Sequence, residues 1–313
     1  HKHRRRQRQM CIRDSLYIIF VFFSCSRSIM RDSIDMNWKL SNSVIDNNIL
    51  LYEGYNPKVP MRAWAVHIPA KDNSISILVS EDNDGLNTPS EIGLKSSATV
   101  IINGGYFSRG QKPIRHIGLL KSQDSLYEPA SNSVLRENLR YNTNRGAFAI
   151  KYDNSPEISW ATTKNDSIFS WNFPFKNRPG KPASINHSFS QFWNVKEAIH
   201  AGPILVKNNT INVTSEQEVF FNTPVDGVQP RSAIGYKKNG DIIMMVVDGR
   251  QVDSRGAYLK ELAMLMIQFD CEEALNLDGG GSSSLIINGK LINNPIGLKS
   301  EREVMSFIAA MPN

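Results

Sequence analysis

Apolar and polar residues alternate along two early segments of the chain, residues 63–68 and residues 74–79. A period of two is typical of strands that bury one face. Residues 69–73 contain a proline and an asparagine and fit the turn between the two strands. Residues 98–102 form a continuous apolar run, which predicts a fully buried strand. The first third of the chain is therefore expected to supply strands to a core.

The C-terminal third of the chain contains stronger patterns. Residues 241–247 predict an apolar strand, and residues 257–270 place apolar side chains at the spacing of one helix face. Short apolar runs then flank the glycine-rich residues 278–284. The second run leads into an Asn-Gly pair that fits a two-residue hairpin turn. Residues 304–310 predict a last core strand.

Residues 106–195 show a weaker pattern, which predicts short strands and long loops, with an obvious loop at residues 172–181. Strands interleaved with a helix and hairpins favour an α+β fold. We therefore expect a mixed β-sheet with packed helices, forming a single catalytic domain.

The N-terminal residues differ in character from the rest of the chain. Residues 1–15 match a translation frame of a transposase-based sequencing adapter, and we interpret them as an adapter-derived artefact. Residues 16–25 form a short apolar run that ends in a small residue and Cys25, which predicts a lipoprotein-type signal lipidated at Cys25. A simple secretory signal is the alternative. Residues 26–50 predict a polar tether, and residues 51–313 the catalytic domain, with motifs over residues 95–313. We expect an exported protein, periplasmic or at the cell surface, that meets the membrane only through Cys25.

The net charge would at first suggest a nucleic-acid partner, because the chain carries 36 Lys and Arg against 30 Asp and Glu. Six of the basic residues and one acidic residue lie within residues 1–15. The remaining chain has 30 basic and 29 acidic residues and is almost neutral. We therefore expect no nucleic-acid partner.

The most informative motif is Asp278 followed by three glycines and three serines; we call residues 278–284 the Asp278 loop. Glycines allow consecutive backbone N–H groups to turn toward one anion, and serine hydroxyls add further donors. Asp278 itself follows an apolar run, where a strand is predicted to end. The candidate residues of the loop are Asp278, Gly279, Gly280, Gly281, Ser282 and Ser283.

Two further groups of polar residues follow predicted strands in the same way. Asn103 can hydrogen-bond a hydroxyl or phosphate oxygen, and an arginine guanidinium matches phosphate oxygens with two parallel donors. Because ligands often bind where strands end, Asp248 and Asp278 are expected to meet at one edge of a sheet. An alternative is that Arg231 and Asp248 pair only with each other. The candidates in these groups are Asn103, Gly104, Gly105, Tyr106, Arg231, Asp248 and Arg250.

Taken in order, these motifs resemble the phosphodiester glycosidase family, over roughly residues 95–313. Residues 160–195 depart furthest from the family's pattern, which leaves the substrate open. The family's helix usually opens with a threonine cap, where this chain has Tyr258, so the cap is lost or supplied by Ser254. The resemblance rests on the motifs Asn103-Gly-Gly-Tyr-Phe107, Ala201-Gly-Pro-Ile-Leu205, Arg231-Ser-Ala-Ile-Gly235, Val246-Val-Asp-Gly-Arg-Gln251, Ser254 with Gly256, Glu261-Leu-Ala263, Leu275-Asn-Leu-Asp-Gly-Gly-Gly-Ser-Ser283 and Asn288-Gly-Lys290.

The resemblance implies hydrolysis of the anomeric C–O bond of a sugar-1-phosphodiester, releasing free sugar and a phosphomonoester, on envelope or extracellular glycans. The leaving phosphomonoester is already a stable anion, so little general-acid help is needed. Asp278 is the expected catalytic carboxylate, with Asp248 orienting an arginine or a water, although the two aspartates could be exchanged. Arg231, Arg250 and the amides of the Asp278 loop are expected to bind phosphate, and Asn103 the sugar.

Two other functions remain open from the sequence. In a metal-dependent phosphodiesterase, Asp248 and Asp278 would bind a divalent cation. A non-catalytic carbohydrate-binding envelope lipoprotein would use the same motifs only to shape a pocket. We expect no required cofactor for the glycosidase, while a divalent metal ion stays an open alternative.

Overall fold

A computed structural model describes residues 34–43, 45–81, 85–110, 112–298 and 300–313. The adapter-type segment, the signal-type segment and Cys25 lie outside these residues. Within the segment predicted as a tether, Asn37–Leu40 forms a strand that pairs with Leu50–Asn56. No helix in the described ranges is long and apolar enough to cross a membrane.

The fold is mostly β, so the predicted α+β class with a mixed sheet and packed helices is wrong. The described residues contain two α-helices, Pro89–Ser96 and Leu259–Gln268, against three large sheets, and their paired strands are antiparallel. The error arose in residues 106–195, where short, partly polar strands hide most of one sheet. Such strands give little periodic signal, because only pairing with distant segments stabilises them.

The largest sheet, here the eight-stranded sheet, contains the C-terminal strands that precede Asp248 and Asp278. Residues 63–68 and 241–247 were expected to be strands, and both are central here. In spatial order the strands are Asn37–Leu40, Leu50–Asn56, Met61–Ile68, Ile242–Val247, Arg231–Lys237, Cys271–Asn276, Ile204–Lys207 and Thr210–Ile211.

Two smaller sheets pack beside it. The five-stranded sheet holds Lys290–Leu291, Leu285–Ile287, Val100–Asn103, Ser306–Pro312 and Asn73–Val79 in spatial order. The seven-stranded sheet holds Ser190–Phe192, Ser167–Trp171, Pro156–Lys164, Arg145–Ile150, Glu197–His200, Leu120–Ser122 and Ser125–Glu128. Two-stranded ladders join Ser133–Arg136 to Leu139–Asn142 and Phe107–Ser108 to Arg115–His116, and short 3₁₀ turns cover His187–Phe189, Pro224–Asp226 and Gly280–Ser282.

One apolar core fills the space enclosed by the three sheets. Val246 of the eight-stranded sheet, Ile102 of the five-stranded sheet and Phe148 of the seven-stranded sheet are fully buried members of this core. Burial of this kind contributes about 25 cal/mol per Å² of apolar surface and is the main term that holds the sheets together. The site described next lies where strands of these sheets end.

The helix Leu259–Gln268 confirms the amphipathic pattern and covers the outer face of the eight-stranded sheet, where Leu262 and Met266 are fully buried. Its first turn lacks a side-chain cap from Tyr258. The backbone N–H of Tyr258 instead donates to Glu261 at 2.8 Å. Ser254 does not supply the cap, because its hydroxyl donates to the carbonyl oxygen of Asp248.

Candidate active site

Three sequence-predicted residues lie at one edge of the eight-stranded sheet. The strand Arg231–Lys237 separates Ile242–Val247 from Cys271–Asn276 and runs antiparallel to both. The two outer strands therefore end at the same edge, where Arg231 begins the central strand. Asp248 and Asp278 follow those outer strands, so they share an edge but are not on adjacent strands.

Asp278 is held by its backbone, which leaves its carboxylate available. Its N–H donates to the carbonyl oxygen of Gly104 at 3.1 Å, and its carbonyl oxygen accepts from Asn103 Nδ2 at 2.7 Å. One carboxylate oxygen accepts the N–H of Gly279 at 2.9 Å. The residue is partly exposed. Asp278 is therefore fixed at the junction of two sheets with a side chain that can reach a ligand.

The Asp278 carboxyl has a pKa raised to about 6, mainly because surrounding protein displaces water that would stabilise its charge. The hydroxyl of Ser282, the N–H of Gly279 and the positive charges of Arg302 and Arg109 lower the pKa and partly offset this effect. A carboxyl with a pKa close to the working pH can exchange a proton readily, which suits general acid–base catalysis.

Three arginines surround the Asp278 loop; we call Arg109, Arg250 and Arg302 the arginine cluster. Burial lowers the pKa of the Arg302 guanidinium most, and the charges of Arg109 and Arg250 lower it further, while that of Asp278 raises it. Arg302 packs so closely on Gly281 that a Cβ there would lie 2.5 Å from Nη2. Two of these arginines, Arg109 and Arg302, were not predicted, because they lie in loops outside the glycine motif.

The two arginines that were predicted from the sequence, Arg250 and Arg231, are held differently from each other. Arg250 is exposed, and its Nη2 donates to Gln229 at 2.6 Å while lying beside Gly280. Arg231 is buried and donates to the backbone carbonyl oxygens of Ala257, Val225 and Gly227. Its burial lowers the pKa of the guanidinium to about 10. The contacts of Arg231 fix loops around the site, whereas Arg250 belongs to its charged surface.

Some of the backbone N–H groups that were predicted to bind an anion already donate hydrogen bonds within the protein. The N–H of Gly280 donates to Pro230 at 2.9 Å, and that of Gly279 donates to the Asp278 side chain. The serine hydroxyls show the opposite behaviour. Ser282, Ser283 and Ser284 are fully buried, and their hydroxyl oxygens have no hydrogen-bond partner among the described residues. The hydroxyl of Ser282 lowers the pKa of Asp278 and therefore lies beside that carboxylate, whereas the hydroxyls of Ser283 and Ser284 have no such neighbour among the described residues. Buried polar groups without partners are uncommon and mark places where a ligand or ordered water can bind.

Asn103 acts as a connector between sheets. Its Oδ1 accepts the hydroxyl of Ser232 at 2.6 Å and the N–H of Ser284 at 3.1 Å, while Nδ2 donates to Asp278. The side chain is fully buried. Both ends of the amide are therefore committed to protein, and the predicted sugar contact would require breaking one of these bonds.

Tyr106 and two histidines border the site on the other side. The Tyr106 hydroxyl donates to the carbonyl oxygen of Gly202 at 2.8 Å and accepts from Asn276 Nδ2 at 2.9 Å. His116 packs directly on Gly105, whose position leaves no room for a side chain. The next neighbour, His200, is buried with both ring nitrogens lacking partners in the described part of the chain.

Burial lowers the pKa of His116 to about 4 and that of His200 to about 3. Both rings are thus neutral near pH 7 and add no positive charge to the site. His116 Nδ1 bonds the carbonyl oxygen of Gly118 at 2.9 Å, while its Nε2 has no hydrogen-bond partner among the described residues.

Asp248 is buried, and both oxygens of its carboxylate accept hydrogen bonds. Its carboxylate accepts Asn293 Nδ2 at 2.9 Å and the N–H of Asn294 at 3.1 Å. Asn293 also donates to the carbonyl oxygen of Ser283, in the Asp278 loop. Burial raises the pKa of Asp248 to about 6, although these hydrogen bonds lower it. Asp248 therefore supports the Asp278 loop through Asn293. The structure shows no pairing of Asp248 with Arg231, whose guanidinium bonds are to backbone carbonyls.

Across the described ranges, no group of three or more His, Cys, Asp or Glu side chains is arranged to hold a metal ion.

The protein resembles known proteins in sequence. A family model described as phosphodiester glycosidase matches residues 96–311. N-acetylglucosamine-1-phosphodiester alpha-N-acetylglucosaminidase of Bos taurus is 33% identical over 100 residues, covering 29% of this chain and 19% of that protein. An uncharacterized prophage-derived protein of Bacillus subtilis, YomE, is 42% identical over 65 residues, covering 21% of this chain and 10% of that protein. The match therefore spans about a fifth or less of the length of these curated relatives.

Solved structures share the fold. A hypothetical protein from Synechocystis superposes with a TM-score of 0.65 at 17% identity, covering 90% of this chain and 64% of that one. The catalytic domain of zebrafish N-acetylglucosamine-1-phosphodiester alpha-N-acetylglucosaminidase, auto-inhibited by its pro-peptide, gives a TM-score of 0.55 at 20% identity. It covers 88% of this chain and 82% of that domain.

Proposed function

Because the chain belongs to the phosphodiester glycosidase family, and is thus a hydrolase, we propose that it cleaves the anomeric C–O bond of a sugar-1-phosphodiester. The products are a free sugar and a phosphomonoester. The bovine relative bears the name of an enzyme that acts on an N-acetylglucosamine-1-phosphodiester, which supports this class of substrate.

The observation that carries the proposal is the position of Asp278 beside the arginine cluster. A carboxylate with a pKa of about 6 stands next to Arg302, within the field of Arg109 and Arg250. Guanidinium groups bind phosphate oxygens with paired, charge-assisted hydrogen bonds. The same loop supplies buried serine hydroxyls that have no protein partner. One side of the site therefore suits an anion and the other a reacting carbon atom.

In the proposed reaction, water supplies the oxygen that replaces the phosphate at the anomeric carbon. The C–O bond breaks, its electron pair leaves with the phosphomonoester, and the arginine cluster stabilises that negative charge. Asp278 acts on the sugar side, either taking the proton of the attacking water or forming a covalent intermediate that water then hydrolyses. The anomeric configuration of the first product distinguishes these routes, since the first inverts it and the second retains it.

Asp248, Asn103 and Arg231 take positioning roles in this proposal. Asp248 holds the Asp278 loop through Asn293, and Asn103 binds the backbone of Asp278. Arg231 ties three backbone carbonyls around the same edge. Phosphate binding, assigned from sequence to Arg231, Arg250 and the amides of the Asp278 loop, passes to Arg250 with Arg109 and Arg302, because Arg231 and part of those amides already bond within the protein.

The test incubates the protein with a panel of sugar-1-phosphodiesters and measures free reducing sugar. We expect turnover by the unchanged chain and a loss of at least about 10³-fold in Asp278→Asn, in the range that single catalytic groups supply. Asp166→Asn, in an exposed turn, is the matched control and should retain full activity. Turnover by Asp278→Asn at the control's rate would refute the assignment.

A parallel arm adds a metal chelator, which should leave the rate unchanged; abolished activity that Mg²⁺ or Mn²⁺ restores would favour a metal-dependent phosphodiesterase instead. Binding of a sugar-1-phosphodiester without release of sugar, across the whole panel, would favour a non-catalytic carbohydrate-binding protein.

We also propose that the enzyme is exported and acts on envelope or extracellular glycans, as a lipoprotein anchored at Cys25. The apolar run before Cys25 in the sequence supports this. Expression in bacteria with a radiolabelled fatty acid should label the unchanged chain and not Cys25→Ser. Equal labelling of both, or none of either, would contradict lipidation at Cys25.

A further inference from the structure

A cavity of about 710 Å³ lies along the loop that follows the strand Ser167–Trp171. We call it the aromatic groove. It belongs to the segment that departs most from the family's sequence pattern, and none of the proposed catalytic residues lines it. Its lining includes Trp171, Phe173, Phe175, Lys176, Asn186 and Phe189.

The groove presents large aromatic rings to solvent. Phe173 is 40% exposed and Phe189 is 51% exposed, and their ring centroids lie 5.2 Å apart. Trp171 and Phe175 form a second edge-to-face pair at 4.8 Å behind them. Exposed aromatic rings in a concave surface are typical of binding sites, since they bury apolar area with little loss of side-chain freedom.

Side-chain hydrogen bonds fix the conformation of the loop that carries these rings. Asn144 accepts the N–H of Phe175 at 2.8 Å and donates to the carbonyl oxygen of Phe173 at 3.0 Å. Asn177 bonds both Gln217 and Ala183. A site held in its binding conformation loses less entropy when a ligand binds.

Lys176 lines the groove, and the loop that follows it carries two further positive charges, Arg178 and Lys181. Residues 167–195 contain Lys176, Arg178 and Lys181 and no Asp or Glu. All three side chains belong to exposed residues, and no ion pair to an acidic side chain involves them in the described ranges. Rings and unpaired cations together suit a ligand that is both ring-containing and anionic.

We propose that the aromatic groove binds the glycan portion of an anionic, phosphodiester-linked carbohydrate. Sugar rings stack on Phe173 and Phe189, and phosphate groups of the same ligand meet Lys176 and the tip of its loop. This rests on the proposed function, which it deepens by identifying a polymeric or multi-unit substrate rather than a small one.

The groove and the candidate active site share one structural support. Asn177 donates to the carbonyl oxygen of Gln217 at 2.9 Å, in the turn that also carries Phe220. The Phe220 ring lies 5.7 Å from the Tyr106 ring at the active site. The exposed hydroxyl and amide of Ser184 and Asn186 in the lining favour a glycan over a nucleic acid.

The experiment measures binding of three fluorescent probes to the full chain: a phosphodiester-linked oligosaccharide, the neutral oligosaccharide of the same sugars, and single-stranded oligothymidine. Phe173→Ala combined with Phe189→Ala removes the rings, and Lys176→Gln, Arg178→Gln and Lys181→Gln together remove the charge. Tyr127→Ala and the pair Lys58→Gln, Lys290→Gln are matched controls on exposed residues elsewhere.

We expect the unchanged chain and both controls to bind the anionic oligosaccharide with the same Kd. Each groove variant should raise that Kd at least about 10-fold, the effect of losing one good stacking or charge contact. Their kcat/KM for a small sugar-1-phosphodiester should not change. Asp278→Asn should bind the oligosaccharide with the Kd of the unchanged chain and lose at least about 10³-fold in cleavage. Binding therefore tests the groove and cleavage tests the catalytic proposal, so either proposal can be refuted without the other.

Equal binding of the neutral probe would overturn the charge argument, and tighter binding of oligothymidine would assign the groove to nucleic acid. Unchanged Kd in both groove variants, with circular dichroism showing that they are folded, would overturn the proposal.

Discussion

Asp278 and Asp248 follow strands that end at the same edge of one sheet, and each has a pKa raised to about 6 by burial. Their surroundings nevertheless differ. The oxygens of Asp248 accept from Asn293 and Asn294, whereas Asp278 is partly exposed, accepts from its neighbour Gly279 and faces the arginine cluster. A perturbed pKa therefore does not by itself identify a catalytic carboxylate. The hydrogen bonds that remain available to a ligand distinguish the two.

The largest expected difference between the surroundings of the two aspartates is in activity, when an arginine beside Asp278 is replaced. Arg302→Gln should lower kcat/KM for a sugar-1-phosphodiester by about 100-fold, because one guanidinium on a transferring phosphate contributes a few kcal/mol in a partly desolvated site. Arg62→Gln removes an arginine near Asp248 and serves as the control, with little expected change. Similar losses in both variants would mean that the arginine cluster has no special role.

A smaller effect is expected on stability at Asp248. Asp248→Ala removes the carboxylate that accepts one of the two N–H groups of Asn293 Nδ2 and the backbone N–H of Asn294. Each buried donor left unpaired costs about 1–3 kcal/mol, so the free energy of unfolding in urea should fall by about 2 kcal/mol or more. Unchanged stability would show that these hydrogen bonds do not support the Asp278 loop.

The smallest effect concerns Asp278 and pH. Its pKa is raised on folding from 3.8 to about 6. A raised carboxyl pKa means that the unfolded chain releases this proton first, so folding stability falls as pH rises from about 4 to about 6 and is constant above. Asp278→Asn should therefore be about as stable as the unchanged chain at pH 4 and more stable at pH 7.5, by up to about 3 kcal/mol.

Thermal unfolding at the two pH values measures that difference. The comparison variant Asp248→Ala should be destabilised at both pH values, because it removes the oxygens that accept from Asn293 and Asn294. If both variants shifted stability in the same direction, the distinction between the two aspartates would fail.

Activity should follow the same ionisation. If Asp278 acts as base or nucleophile, its charged form is required, and kcat/KM should rise with pH through an apparent pKa near 6 and then level off. A pH–rate profile checks this. A fall above pH 6 would instead identify Asp278 as an acid.

The local elements were readable from the sequence where apolar runs were long. The strands Ile242–Val247 and Ser306–Pro312 and the helix Leu259–Gln268 were expected close to their observed positions. The fold class was not, because residues 106–195 gain their strand structure from pairing with distant segments. For example, Arg145–Ile150 pairs with Glu197–His200.

The site was predictable only where its residues are close in sequence. Asp278 and its glycines form one motif, while Arg302 reaches Gly281 from a different loop, and Arg109, whose charge acts on Asp278, comes from a segment far earlier in the sequence. The fully occupied amide of Asn103 was equally invisible, because its partners Ser232 and Ser284 come from distant parts of the chain.

The anchoring of the aromatic groove has a consequence for how such proteins diversify. The loop is held by the side chains of Asn144 and Asn177 acting on backbone groups, and among the described residues no hydrogen bond joins it to Asp278. The exposed residues of this loop can therefore be replaced without moving the carboxylate. Ligand preference and chemistry can evolve as separate modules on this scaffold, and loop exchange between relatives should transfer the first while preserving the second.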